Sequence, residues 1–424
     1  MMKLRNHADG SALFASEKIE PILPSLDLMG KKTSEDWACT PEVEVYSANL
    51  SALDLSGYDM QDVNFDAKTV WPSDSNRCPK GAEYLEKINE FGKNPGLGIR
   101  SLHEKGKDGT GISLAIIDQP LCEHSDYCRE NPEKEGGLVH YEEIGYDNSQ
   151  ENGSMHGAAV ASILVGKNCG VVPKAKLYYF AANALKEKNG HKIRTADYRV
   201  QALEKILKIN EDVEKQGRID EKIQVVSVSA GWMGGSKTDN FDKWWEVLEK
   251  AKQKGVFVLS TNVRKEYGLA FNGLGKNAYG DSNQIDSYLE CPYNLPQSYL
   301  SNNSIFVPMD HRTVASPTGK DEYVHYVHGG MSWATPWLAG MFALARQQNS
   351  EITPEEFWKI AITTGVFSEK VKGTVIQPEK LISGLQKEKK YSLKKIMQDG
   401  QKRAIQRKEV QKLQTIMKGK ENAK

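Results

Sequence analysis

Asp118, His156 and Ser332 are the residue types that serine hydrolysis requires. A hydroxyl attacks a carbonyl, an imidazole takes its proton, and a carboxylate holds the imidazole in one tautomer. Ser332 stands in Gly329-Gly330-Met331-Ser332-Trp333-Ala334-Thr335-Pro336, ahead of the apolar run from Trp337 to Ala345. Proline in the first turn of a helix forfeits no hydrogen bond. The spacing therefore predicts a buried helix with Ser332 at or just before its N-terminus, where free N–H groups and the macrodipole stabilise an oxyanion. Asp118 closes the apolar stretch Gly111–Asp118, and His156 falls in the first turn of a small-residue helix, Ser154–Val165. Each residue alone also has a plain structural reading. The Asp and the Ser can cap helices, and the His can be a satisfied core residue.

The elements that must bring the three together belong to an α/β chain. From about residue 95 short apolar strands alternate with helices, the pattern of a parallel sheet whose chemistry gathers at the carboxyl ends of its strands. Strands are predicted over Gly111–Asp118, Val225–Ser229, Val256–Thr261 and Ile305–Met309, with another entered from Gly170–Phe180, and Tyr323–His328 leads back to the serine stretch. Helices are predicted over 197–213, 241–254 and 353–362, the last with Thr353 as N-cap and Pro354 at its first position. Residues 263–303 are rich in Gly, Asn and Tyr with little periodicity and read as surface loops. Residues 1–94 read as an N-terminal extension in which Leu53–Asp66 has an apolar residue about every five positions. Too short for a solenoid, it is expected to pack on the main domain as a retained segment, with a pro-segment as the alternative. Residues 386–424 read as a basic helical tail.

With 56 basic and 56 acidic residues, global charge argues for neither nucleic acid nor membrane binding. From Gly384 onward 13 basic residues face 4 acidic ones. The tail is read as a solvated helix, with an interaction through it kept as a candidate. No signal-peptide core and no membrane-length apolar run is present, and the six cysteines are scattered. A cytoplasmic protein with reduced thiols is expected.

At five separated places the chain resembles the subtilisin-like serine peptidases (subtilases, peptidase family S8). Gly109–Asp118 is similar to the family's aspartate strand, and Met155–Ile163 to its histidine helix. Gly170–Tyr178 is similar to the Gly-Val-Ala-Pro-x-Ala-x-Leu phrase that follows the histidine. Val226–Gly231 resembles the substrate-lining strand, and Gly330–Pro336 resembles Gly-Thr-Ser-Met-Ala-Thr-Pro around the nucleophile. The wording is closest to a clostridial, intracellular-type branch. The resemblance implies a three-layer αβα domain over 95–385 with a mostly parallel sheet. It also implies a serine endopeptidase acting on polypeptides, with Ser332 as nucleophile, His156 as base and Asp118 as orienting carboxylate. Ser229, Ala230 and Gly231 would pair with substrate, Trp232 would stand at the pocket rim, and a side-chain amide would complete the oxyanion hole.

The departures set the alternatives. Ser260-Thr261-Asn262 replaces the family's Ala-Gly-Asn phrase, so Asn262 is the first candidate for the amide and Asn272 the second. Gln119-Pro120 follows the aspartate, and Ala158 follows His-Gly. No stretch forms a calcium loop, so no cofactor or metal is carried over. A catalytically weak or inactive subtilase fold serving as a binding module is the rival to an active peptidase. A zinc site built on Cys122, His124 and Cys128 is a second rival, although no further metal-ligand pair accompanies it.

Overall fold

The computed structural model describes residues 43–57, 63–78, 82–146, 153–230, 238–290 and 304–388. The tail from 389 onward, the first 42 residues, and Gly231 and Trp232 lie outside the described residues. In chain order come β1 (Val43–Glu44), β2 (Val63–Asp66), α1 (Ala82–Lys93), α2 (Ile99–Glu104), β3 (Ser113–Asp118), α3 (Pro132–Glu135) and β4 (Gly137–Ile144). Then follow α4 (Met155–Val165), β5 (Lys176–Ala182), the hairpin of β6 (Leu185–Lys188) and β7 (His191–Arg194), and α5 (Asp197–Lys215). The middle of the chain gives β8 (Ile223–Val228), α6 (Phe241–Gln253), β9 (Phe257–Ser260), α7 (Val263–Tyr267), β10 (Ala270–Lys276) and β11 (Tyr288–Leu289). The last part holds β12 (Ser304–Pro308), β13 (Arg312–Ala315), β14 (Tyr323–Tyr326), α8 (Met331–Gln348) and α9 (Pro354–Thr364). It closes with β15 (Val366–Ser368), β16 (Gly373–Val375) and α10 (Pro378–Glu388).

The central sheet has the order β4-β5-β3-β8-β9, with every neighbouring pair parallel. Its middle strand β3 is buried on both faces, which is why it reads as an unbroken apolar run. Side chains alternate between the faces. Leu114 and Ile116 enter one core with α4 and α8, whereas Ala115 and Ile117 enter another with α5 and α6. This is the expected αβα layering. The helices at 197 and 241 begin where the sequence places them, and Thr353 caps α9 through a reciprocal bond with Glu356.

Two expectations are corrected. Residues 263–290 are not surface loops. They hold α7, β11 and the wholly buried β10, which pairs in parallel with β12 in a second sheet of order β11-β10-β12-β16-β15. Asn272, Gly273, Gly275 and Lys276 hide this strand from any hydropathy pattern, although Gly273 has a packing reason: a Cβ there meets the Met309 sulfur at 2.0 Å. Pro336 lies not in the first turn of α8 but inside it, because the helix begins five residues earlier at Met331. Gly330, the N-cap, has φ of 63°, a conformation that glycine adopts without strain and that starts the helix early.

Candidate active site

Asp118 is the last residue of β3, Ser229 the first after β8, and Asn262 lies two beyond β9. Because the three strands are parallel, these residues share one edge of the sheet. His156 is the second residue of α4. The Ser154 N-cap accepts the His156 backbone N–H at 3.1 Å, which starts the helix where the imidazole meets the strand end. Its Nδ1 is 2.6 Å from Asp118 Oδ1, with the carboxylate nearly fully buried. Burial pulls the His156 pKa down, but the Asp118 charge and hydrogen bond overcome it, so the imidazole titrates above its ordinary range.

The residues noted as departures hold this pair. Gln119 accepts the Ser154 hydroxyl on Oε1, Pro120 accepts the Ser154 N–H at 2.8 Å, and Tyr179 OH donates to the Gln119 carbonyl. Helix and loop approach so closely that a Cβ on Gly157 would stand 2.5 Å from the Pro120 carbonyl. Tyr146 and Arg199 feel the Asp118 charge. Burial, then that charge, pushes the Tyr146 phenol up to about 12, whereas burial lowers Arg199 against the pull of Asp118. Neither residue was marked by the sequence, since both lie outside the motifs.

Ser332 is the second residue of α8, and α8 packs against α4. The helix-start expectation for Ser332 therefore agrees with the structure, and its bonds are specific. The Ser229 hydroxyl donates to the Ser332 carbonyl at 2.6 Å, and Ser332 Oγ donates to the Ser229 carbonyl at 3.3 Å. Trp333 is buried against Tyr326, with ring centroids 5.0 Å apart, so it packs behind the loop that leads to Ser332. Ala230 follows Ser229 and is half-buried.

Asn262 is half-buried at this edge, its backbone N–H held by Ser260 Oγ at 2.9 Å. The buried Glu266 in turn accepts the Ser260 hydroxyl at 2.6 Å. Asn272 is buried in β10, within the other sheet.

The zinc alternative does not fit. His124 Nε2 donates to the Glu322 carbonyl at 2.6 Å while Nδ1 accepts the Asp126 N–H at 3.0 Å, so no imidazole lone pair is available to a metal. Burial pushes the Cys128 thiol up to about 12, away from the thiolate that zinc requires. Among the described residues no group of three His, Cys, Asp or Glu is placed to hold a metal ion. No helix of the described residues is long and apolar enough to cross a membrane.

No curated protein sequence matches the chain. Among solved structures, the prenylagaramide maturation protease PagA is 16% identical, with 68% of this chain and 98% of that one covered and a TM-score of 0.45. The A-subunit of the AB5 toxin from E. coli is 14% identical over 69% of this chain and 98% of its own, with a TM-score of 0.46. The PatG macrocyclase in complex with peptide is 12% identical over 68% and 95%, with a TM-score of 0.44. The model of the subtilase family matches residues 109–289, a stretch that contains Asp118, His156, Ser229 and Asn262 but ends before Ser332. Through that segment, which carries the aspartate strand and the histidine helix, the chain is similar to the subtilase family.

Proposed function

We propose that this chain is a serine endopeptidase that cleaves polypeptides through an acyl-enzyme, with Ser332 as nucleophile, His156 as base and Asp118 as orienting carboxylate. The observation that carries the reading is the 2.6 Å Asp118–His156 pair at the same sheet edge where Ser229 grips Ser332. Asp118 holds Nδ1–H, which leaves Nε2 as the basic nitrogen. In the resting arrangement Ser332 Oγ donates over 3.3 Å to the Ser229 carbonyl, and catalysis exchanges that weak acceptor for Nε2. As Ser332 attacks, His156 takes its proton and then passes it to the leaving amine. Water repeats the sequence to release the acyl group.

The developing oxyanion lies at the N-terminus of α8 and receives the Asn262 amide. Asn262 is preferred to Asn272 because it shares the edge of Asp118 and Ser229. Substrate backbone adds alongside Ser229, Ala230 and Gly231, with Trp232 at the rim. The main domain is assigned to 95–385.

The test is hydrolysis of a chromogenic peptide library by wild type beside Ser332→Ala, with fluorophosphonate labelling of both. The variant is expected to lose more than about 10,000-fold in kcat and to take no label. Asn262→Ala is expected to lose about 100- to 1,000-fold. A wild type that is folded yet neither cleaves nor takes label would leave the fold as a binding module.

A further inference from the structure

The strand that leads to Ser332 has its outer edge covered by the N-terminal segment. The four-stranded sheet runs β1-β2-β14-β13, with Val324 opposite Asp66 and His325 opposite Phe65. Beyond the last paired residue a side chain continues the ladder. Asn64, fully buried, accepts the Val327 N–H on Oδ1 at 2.7 Å, and the Val327 carbonyl accepts the His311 N–H at 2.8 Å. The backbone five residues before the nucleophile is thus fixed from the N-terminal side. A second line of contact reaches the residue just after it. Tyr46 meets Tyr326 edge-on at 5.9 Å, Tyr326 meets Trp333 edge-on at 5.0 Å, and Trp333 lies so close to Gly329 that a Cβ there would touch its ring at 2.3 Å.

The segment is itself anchored. The buried Asp66 accepts from Ser47 N and Oγ and from Lys68 N, while Phe65 stacks on His325 at 5.3 Å. Val45, Leu50, Leu55, Val63 and Phe65 form a core of their own. At its end α1 lies against β13, with no room for a Cβ on Gly92 beside Thr313, and the Gly92 carbonyl accepts from Arg312 Nε at 3.2 Å. Peeling the segment away would bare the β14 edge and leave the Val327 N–H without its acceptor.

We propose that residues 43–94 are a permanent strut of the nucleophile loop and not a pro-segment released on maturation, with Asn64 and Tyr46 as positioning residues. The inference rests on Ser332 as the nucleophile. Three measurements on the full chain test it: the intact mass of the fluorophosphonate-labelled protein, kcat and KM of Asn64→Leu, Tyr46→Leu and Tyr46→Phe, and amide exchange at Val327. The labelled chain is expected to retain residues 43–94. Both Leu variants are expected to lose on the order of 10- to 100-fold in kcat, with KM changed by less than about threefold. Val327 exchange accelerates in Asn64→Leu, and Tyr46→Phe, which keeps the ring, recovers most of kcat. An active chain that starts beyond Lys93, or wild-type kcat and exchange in both Leu variants, overturns the proposal. If Asn64→Leu fails to fold, the Tyr46 pair and the mass decide. If wild type neither cleaves nor takes label, the peptidase reading falls, and Val327 exchange alone decides the strut.

Discussion

Pro336 has no N–H to give the Ser332 carbonyl four residues before it, so α8 is one hydrogen bond short beside its proposed nucleophile. The Ser229 hydroxyl fills that place at 2.6 Å. Ser229→Ala should therefore leave a carbonyl unpaired, costing about 1–2 kcal/mol in urea unfolding, and lower kcat more than KM as Ser332 loosens. At His156 the sign of the pH effect follows from its raised pKa. The base works when neutral, so the acid limb of kcat/KM should lie above the ordinary histidine value of about 6.5. The stabilising pair with Asp118 is complete below the unfolded pKa and is lost as pH rises through the folded one. Asp118→Asn removes the charge that raises it. The acid limb should then shift downward, with kcat reduced on the order of 10,000-fold, as a pH–rate profile would show.

Among the elements, β3, β8 and β9 were legible because a strand buried on both faces has to be continuously apolar, and α9 because its cap is written in Thr353, Pro354 and Glu356. The helix around Ser332 was legible in place but not in extent: a proline normally marks a first turn, and only the Ser229 contact, made across the fold, shows why it is tolerated later. β10 was illegible because tertiary packing, not composition, buries it. Its Lys276 is a consequence open to measurement. Burial, then the nearby Arg312 charge, lowers this lysine to about 7. The folded state thus resists a proton that the unfolded chain holds up to pH ~10.4, and stability should rise with pH between those values. Lys276→Met should stabilise by on the order of 2 kcal/mol at pH 6 and by less at pH 9, read from melting curves. The packing of α8 against the loop that follows α4 depends on Gly340, where a Cβ would come within 2.6 Å of the Val171 Cβ. Gly340→Val should cost about 1–3 kcal/mol in urea unfolding.

At the scale of the whole molecule, two cores sandwich the central sheet and a third lies under the N-terminal segment. The sequence disclosed the first two through periodicity. It could not disclose that β2 joins β14, since strand partners distant in sequence leave no local trace. The bond from Asn64 to Val327 spans 263 residues. Such a contact forms late, because the intervening loop must close before it yields anything. At about 5–20 residues per second of synthesis, on the order of 15–50 s separates the emergence of its two ends from the ribosome. During that interval β2 waits without β14, so the proposed triad stays incomplete until the stretch that also completes this sheet has been made.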